Sequence, residues 1–599
     1  SRSSRAGPVN TTTPASAVDV NVGHGPAVAF AGLRRTLSCL REAGADLDDL
    51  AQRHSAEWAV LFPDEDEDAP HLAAIALTPS ERRLHRESEQ IFRVLCVAAA
   101  AICQGARLLD RPIALHGMAG TDLPSLRGFM RAVEYAGTMP GVRLEIASPG
   151  PGRPALTPAA DHTRERALAL ARMGLAIAPT SGALPPAPVP DPDTREGVLF
   201  ATAATTQARC VDRLAAAVAY CRAAFFSTNW EGMAAVAETA LPLTRDLADR
   251  DAAAVLTPAG RDDGQADAIE IEPAVLRSGD DVRALLHKIL GIQAGFRGRR
   301  EEAMKRFAAM RGDAPRLSAE LRAQSHLYTA LTLAEQPRHA DAAVAEIDRG
   351  FAAVPPRPGE PVSTCRERGW LHNLRAQVHV MRSEFRPALD QVKQALACVA
   401  DTTDAGSAHL RATLLANLSV LQEKAGRLEQ ALRTWNRFLT AACAGNAGFR
   451  KHHSYRAAGL HLASGDRASA LEDLDRTLAS AAETNDVFHT CEVRVETGAL
   501  LARGGDTDGA EEQFRLAGAA AAALGDPYRM ALAAAGGRVC VGQRADKEVT
   551  ELLGCSLTRR AERDRLAAEL GADPQTVLTR LPRPATRLNR PFDLIDLWS

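Results

Sequence analysis

The sequence predicts a mostly α protein: a right-handed superhelix of stacked helical hairpins, preceded by a small α/β region. Three observations predict it. First, small Ala residues recur 39–45 residues apart at Ala303, Ala343, Ala388, Ala431, Ala470 and Ala510. A turn former lies five positions earlier in most copies (Gly298, Ser383, Gly426, Gly465, Gly505), and a bulky apolar residue lies four later (Phe307, Ile347, Val392, Trp435, Leu474, Phe514). Second, one stretch near the N-terminus reads strand–helix–strand. Third, 599 residues with 46% apolar and 24% charged residues suit a globular chain of several domains.

The repeat pattern has a direct physical reading. A turn joins two antiparallel helices. The small residue at the start of the second helix lets the two backbones approach, and the large residue one turn later fills the groove to the next unit. No single pair buries its apolar face alone, so the pairs must stack. An earlier copy of the pattern, Asn229/Ala234, precedes an irregular segment at about 250–275.

Residues 1–25 are rich in Ser, Thr, Gly and Pro and are expected to be flexible. Residues 26–177 form the N-terminal helical and α/β region. Phe30, Leu33, Leu37 and Leu40 have helical spacing. The acidic run 64–68 reads as a solvated linker. A start signal at Thr78-Pro79-Ser80-Glu81 opens a long helix to about Leu109. Arg111–His116 and Gly141–Ala147 read as short buried strands flanking an amphipathic helix, Leu123–Ala136, which gives a βαβ unit. Residues 178–198 are a Pro-rich linker, 199–537 the helical repeats, 538–582 capping helices, and 583–599 an apolar and acidic tail.

The segment ATLLANLSVLQEKAGRLEQALRTWNRFL (412–439), with turn Gly426, small Ala431 and aromatic Trp435, resembles the tetratricopeptide repeat family. The units are nearer 40 than the common ~34 residues, and the usual terminal Pro is mostly missing. Longer units resemble the helical-repeat sensor domains of STAND-type signalling ATPases, including the maltotriose-regulator family of bacterial activators. That resemblance makes the α/β stretch the remnant of a nucleotide-binding domain. No Gly-rich phosphate loop ending in Gly-Lys-Ser/Thr occurs, and no Lys precedes Lys288. The central strand ends in His116-Gly117-Met118 rather than in acidic metal ligands. Asp122, the nearest carboxylate, reads equally as the N-cap of the next helix. The region is therefore expected to be a degenerate, structural module.

Nothing points to an enzyme. There is no GxSxG, HExxH or paired-carboxylate motif, and no cofactor or metal site is expected. His452, His453 and His461, or His372 and His379, share helices but are read as surface or groove residues. The chain's 11 Cys lack any CxxC spacing and are read as buried free thiols of a cytoplasmic protein. No run of ~18 apolar residues is found, so no membrane span is expected, and no N-terminal segment reads as a signal peptide. Of 71 basic residues only 6 are Lys. With the abundant Ala, this indicates a GC-rich, bacterial coding bias, so Arg clusters carry little weight. Net charge is −3 and aromatics are 4%, which disfavours nucleic acid as a partner.

The resemblance also implies a peptide groove lined by the first helix of each unit. Some family members hold a partner's C-terminal carboxylates there. Counting back from Ala388, Ala431 and Ala470 places Asn373, Gln377, Asn417, His452 and Arg456 at the corresponding positions. Asn and Arg donate several hydrogen bonds to a carboxylate. At the C-terminus, Leu566–Arg580 resembles a helix-turn-helix. It is read as a cap closing the array, with DNA contact as the alternative. The tail Pro591–Ser599 (PFDLIDLWS) is expected to pack on the body or to dock on a second copy, giving a homo-oligomer. The function expected from these readings is a protein- or peptide-binding scaffold or sensor in a bacterial regulatory pathway. The alternatives are a STAND-derived transcriptional regulator and an accessory protein of a biosynthetic enzyme complex.

Overall fold

The computed structural model describes residues 17–65, 68–76, 89–148, 150, 155–174, 194–256, 276–312, 314–400, 402, 404–442, 447–543 and 547–580. The expected helix start at 78–81, most of the 178–198 linker and the tail 583–599 lie outside them.

The chain opens with β1 (Val18–Asn21), then α1 (Ala31–Glu42), α2 (Asp48–Arg53), α3 (Ser55–Leu61), α4 (Leu72–Ile75) and α5 (Glu89–Leu109). β2 (Ile113–His116), α6 (Leu123–Thr138), β3 (Leu144–Ser148) and α7 (Thr163–Arg172) complete the module. The three strands form a parallel sheet in the order β1-β2-β3, with Val18 beside Ile113 and Leu115 beside Ile146. The expected β2–α6–β3 unit is present. The expectation of a flexible 1–25 is corrected at its end by β1 and the residue after it, where Val18, Val20 and Val22 turn alternate side chains into the core while Asp19 and Asn21 face out; residues 1–16 lie outside the described residues. Phe30 is also corrected: it sits just before α1 in the left-handed region (φ 62). α5 is long and apolar enough to cross a membrane, with a mean hydropathy of 1.6, but 78% of that window is buried inside the protein. Val94, Leu95, Ala98 and Ile102 pack there with Leu33, Leu37, Leu115 and Phe129.

The helical array begins at α8 (Arg195–Ala204), which extends into the expected linker and corrects its end. It continues with α9 (Cys210–Phe226), α10 (Trp230–Ala240), α11 (Gly279–Phe296), α12 (Arg300–Ala309), α13 (Ala319–Ala334) and α14 (Ala340–Ala353). Then follow α15 (Val362–Met381), α16 (Phe385–Ala397), α17 (Ala405–Lys424), α18 (Leu428–Ala442), α19 (Ala447–Ala463) and α20 (Arg467–Glu483). α21 (Val487–Arg503), α22 (Thr507–Leu524), α23 (Pro527–Cys540), α24 (Lys547–Cys555), α25 (Arg560–Ala572) and α26 (Gln575–Arg580) end the described chain.

The repeat register is realised residue by residue. Ala234, Ala303, Ala343, Ala388, Ala431, Ala470 and Ala510 are all 0% exposed, one on each second helix. Their bulky partners Phe307, Ile347, Val392, Trp435, Leu474 and Phe514 are buried with them. A Cβ added at Gly291 on α11 would lie 2.3 Å from the Phe307 ring, so close helix approach is built into the pair. Asp404, Asp466, Asp486, Asp506 and Asp526 each cap a helix by accepting the amide three residues on.

The turns before α12, α18, α20 and α22 take a left-handed glycine (Gly298, Gly426, Gly465 and Gly505), whereas Thr228 (φ 58) fills that place before α10 and Ser383 (φ 61) before α16. A Cβ in that conformation costs roughly 1–2 kcal/mol. Ser383→Gly is therefore expected to stabilise the protein by about 0.5–1 kcal/mol, after the greater freedom glycine gives the unfolded chain. A urea midpoint that falls instead would show that the serine is not strained.

The array starts and ends on the module. Near its start, Asn229 Nδ2 donates to the Pro26 carbonyl at 2.6 Å and the Tyr220 hydroxyl to the Ala27 carbonyl at 2.7 Å. Arg166 pairs with Glu231, and Arg297 with Glu165 at 2.8 Å. Near its end, Arg93 donates to the Thr484 carbonyl at 2.6 Å, Arg131 to the Leu524 carbonyl at 2.9 Å and Tyr135 to the Ala523 carbonyl at 3.1 Å. At α25 and α26, Leu566, Val577 and Leu578 bury into the cluster of Val539, Val549 and Leu553.

Candidate functional site

Among the described residues, polar side chains gather in a strip along the first helices of the middle units and at the contacts between module and array. On the strip, Glu320 of α13 accepts from Ser363 Oγ at 3.0 Å and Thr364 Oγ1 at 3.1 Å of α15. Arg366 pairs at 2.5 Å with Asp404, which caps α17. Trp370 lies 5.9 Å, ring to ring, from His409. One turn on, Asn417 Nδ2 donates to Asn373 Oδ1 at 2.8 Å, and Gln377 one turn further is exposed. Asn373 and Asn417 are half-buried. Their mutual bond uses one donor and one acceptor, so the pair keeps an amide N–H and a carbonyl oxygen for a ligand.

The structure brings Asn373 and Asn417 together, with Gln377 beside them on α15. It does not bring His452 and Arg456 to an open groove. Arg456 is 1% exposed and its guanidinium is bound to Glu423. His452 is buried, with Nε2 3.1 Å from Glu89 Oε2 at the start of α5. Burial pushes its imidazole down to about 4, so it is neutral at pH 7. A partner's carboxylate would have to displace Glu423 and Glu89, and the five-residue clamp is not assembled.

His452 belongs instead to a cluster that sequence reasoning missed. Lys451 Nζ donates to Glu89 Oε1 at 2.8 Å and to Asp486 Oδ2 at 2.5 Å. Asp486 also accepts from His489 Nδ1 at 2.6 Å, and Arg93 binds Glu57 and lies 3.6 Å from Asp486. Burial alone would raise the Glu89 carboxyl, but Lys451 and the two imidazoles hold it well below the usual carboxylate range. Glu89, His452 and His489 place ligand atoms within 4.8 Å of one another. The Lys451 ammonium already supplies the cation there, and a divalent ion beside it would face its charge at close range. The other histidine groupings disperse: His453 stacks on Trp435, His461 faces Asp466 and Asp473, His372 meets Gln391 and His379 meets Glu384. The described cysteines are free thiols.

A second buried polar link crosses three units. Lys288 Nζ donates to Gln324 Oε1 at 3.2 Å, and Gln324 Nε2 to Glu367 Oε1 at 3.0 Å. At the first end of the array, Glu196 of α8 accepts from the Ala29 amide at 2.8 Å. Burial pushes its carboxyl up to about 7 against the pull of that amide.

No protein-family model matches this chain, and no curated protein does. Among solved structures it is similar to a Signal Transduction ATPase with Numerous Domains (STAND) protein with a tetratricopeptide repeat sensor from Pyrococcus horikoshii. That match has 10% identity and a TM-score of 0.40, and covers 94% of this chain and 92% of the other. It is also similar to aspartyl phosphate phosphatase F from Bacillus subtilis, with 10% identity and a TM-score of 0.35, over 63% of this chain and 92% of that one. A Rap protein complexed with competence and sporulation factor matches at 11% identity and a TM-score of 0.33, over 58% and 89%. Likeness at this level does not decide what the chain binds.

Proposed function

We propose that this chain, a tetratricopeptide-like helical-repeat protein with a docked α/β module, is a scaffold that holds an extended peptide or protein segment along α13–α17. We place it in a bacterial regulatory pathway; its Arg- and Ala-rich composition supports the bacterial part of that reading, and the strip of polar side chains along its first helices supports a binding role. The observation that carries the reading is the Asn373–Asn417 amide pair with Gln377 exposed beside it. Among the described residues, the hydrogen bonds and ion pairs cited above that dock the module fall between α8 and the turn after α11 and on the segment from α19 to α25, on either side of this strip. The Asn373–Asn417 bond bridges adjacent units, and affinity would come from many polar contacts along the strip.

The test is capture from nuclease-treated lysate by wild type and by the Asn373→Ala/Asn417→Ala variant, followed by titration of the captured segment as a peptide. Loss of the ligand-facing hydrogen bonds is expected to weaken binding about tenfold, with unchanged thermal stability. Equal affinity of both proteins would move the site off this strip. The DNA-contacting alternative draws less support. Val577 and Leu578 of its second helix are buried against the array, and Gln575 Nε2 donates to the Val539 carbonyl at 3.4 Å.

A further inference from the structure

The loop between β1 and α1 leaves the carboxyl end of a parallel strand, where open α/β sheets bind their ligands. Its sequence, Val22-Gly-His-Gly-Pro-Ala-Val-Ala-Phe30, ends without a capping side chain: Phe30, the N-cap of α1, has no acceptor to offer. The first amides of α1 nevertheless have partners. Asp122 Oδ1 accepts from Phe30 N at 2.9 Å and Oδ2 from Gly32 N at 3.2 Å, while Oδ1 also accepts from Ser125 N at 2.9 Å. Ser125 Oγ accepts from Leu33 N at 3.1 Å. One carboxylate thus caps two helices, α1 and its own α6.

Asp122 is 0% exposed and has no ion-pair partner among the described residues. Its charge is met by backbone amides and two helix N-termini, which is how proteins hold a bound anion. Beside it lies Thr121, whose fully buried hydroxyl makes no hydrogen bond. That hydroxyl is 2.4 Å from where a Gly32 Cβ would stand, so only glycine admits this approach.

We propose that the β1–α1 loop is a carboxylate-binding cradle whose resident ligand is the chain's own Asp122, so that the place in this module where a phosphate group would dock is filled from within. The module then binds no nucleotide through this loop, and the loop serves as a joint. Its carbonyls at Pro26 and Ala27 are held by Asn229 and Tyr220 of the array, and its Ala29 amide by Glu196.

The test has two arms. In the wild-type protein, ATP, ADP and GTP, each with and without magnesium, are expected to leave Tm unchanged. The amides of Phe30 and Gly32 are expected to exchange slowly without any added ligand. In Asp122→Ala, which empties the cradle, Tm in chloride is expected to fall. Formate at the same ionic strength is expected to restore part of the loss in the variant and to leave wild type unmoved. The proposal is overturned if a nucleotide raises the wild-type Tm or slows exchange at Phe30 and Gly32. It is equally overturned if those amides exchange as an open loop does, or if the folded variant responds alike to formate and chloride. The wild-type arm decides the matter alone if Asp122→Ala fails to fold.

Discussion

Lys451→Met is expected to destabilise the protein by about 3–5 kcal/mol, the usual loss when one partner of a buried ionic cluster is removed. Lys451 is 0% exposed, and its ammonium is the group that joins Glu89 of the module to Asp486 of the array. Without it the partly buried Glu89 carboxylate faces the buried Asp486 carboxylate, and Arg93, 3.6 Å from Asp486, is shared with Glu57 and the Thr484 carbonyl. With the ammonium gone, burial is expected to outweigh the remaining pull of Arg93, His452 and His489 and to raise one carboxyl above its unfolded value. A raised acid contributes stability that is present at low pH and lost as pH rises, so the variant should approach wild type toward pH 4 and diverge from it above pH 6. Adding Glu89→Gln to Lys451→Met removes one of the opposed charges and should recover part of the loss. Urea denaturation across pH checks all three expectations. A single variant within about 1 kcal/mol of wild type at pH 7 would mean that the cluster does not carry the docking.

How much of this could be read from sequence follows from how far apart the cooperating residues lie. The repeat register was legible because turn, small residue and bulky residue sit within nine positions of one another. Each Ala so identified, from Ala303 to Ala510, is fully buried. β1 escaped because four residues, VDVN, alternate within a Ser-, Thr- and Pro-rich stretch too short to show a period. Counting back from the small residues put all five positions on first helices of the units, α15, α17 and α19. For Asn373 and Asn417 it also found a true neighbour pair. It failed at His452 because the side chain that covers it, Glu89, lies 363 positions away. A faint signal was available. In a chain with only 6 Lys among 71 basic residues, Lys288 and Lys451 are both 0% exposed. A compact ammonium shared between acceptors is a role that the planar guanidinium fills poorly.

Glu134→Ala carries the second large expectation, again a loss of about 3–5 kcal/mol. Glu134 is 1% exposed, binds Arg131 at 2.5 Å, and accepts from the Leu557 and Thr558 amides at 2.7 and 2.8 Å. Its removal takes the carboxylate partner from a buried guanidinium, which keeps only its bond to the Leu524 carbonyl among those described above, and orphans two amides between α24 and α25. What this variant shows depends on its combination with Lys451→Met. If the module docks on the end of the array as one rigid body, either substitution releases both contacts. The second then has little left to remove, and the double variant should lose much less than the sum of the single losses. Simple additivity would show two independent local defects. The difference bears on function, because the array is attached to the module at its beginning and at its end. A module that lets go at one end frees the curvature of α13–α17, and a peptide bound there would have to restore it. The released variants should therefore bind the captured segment more weakly than wild type with Asn373 and Asn417 intact. Equal affinity would show that the strip holds its shape without the module.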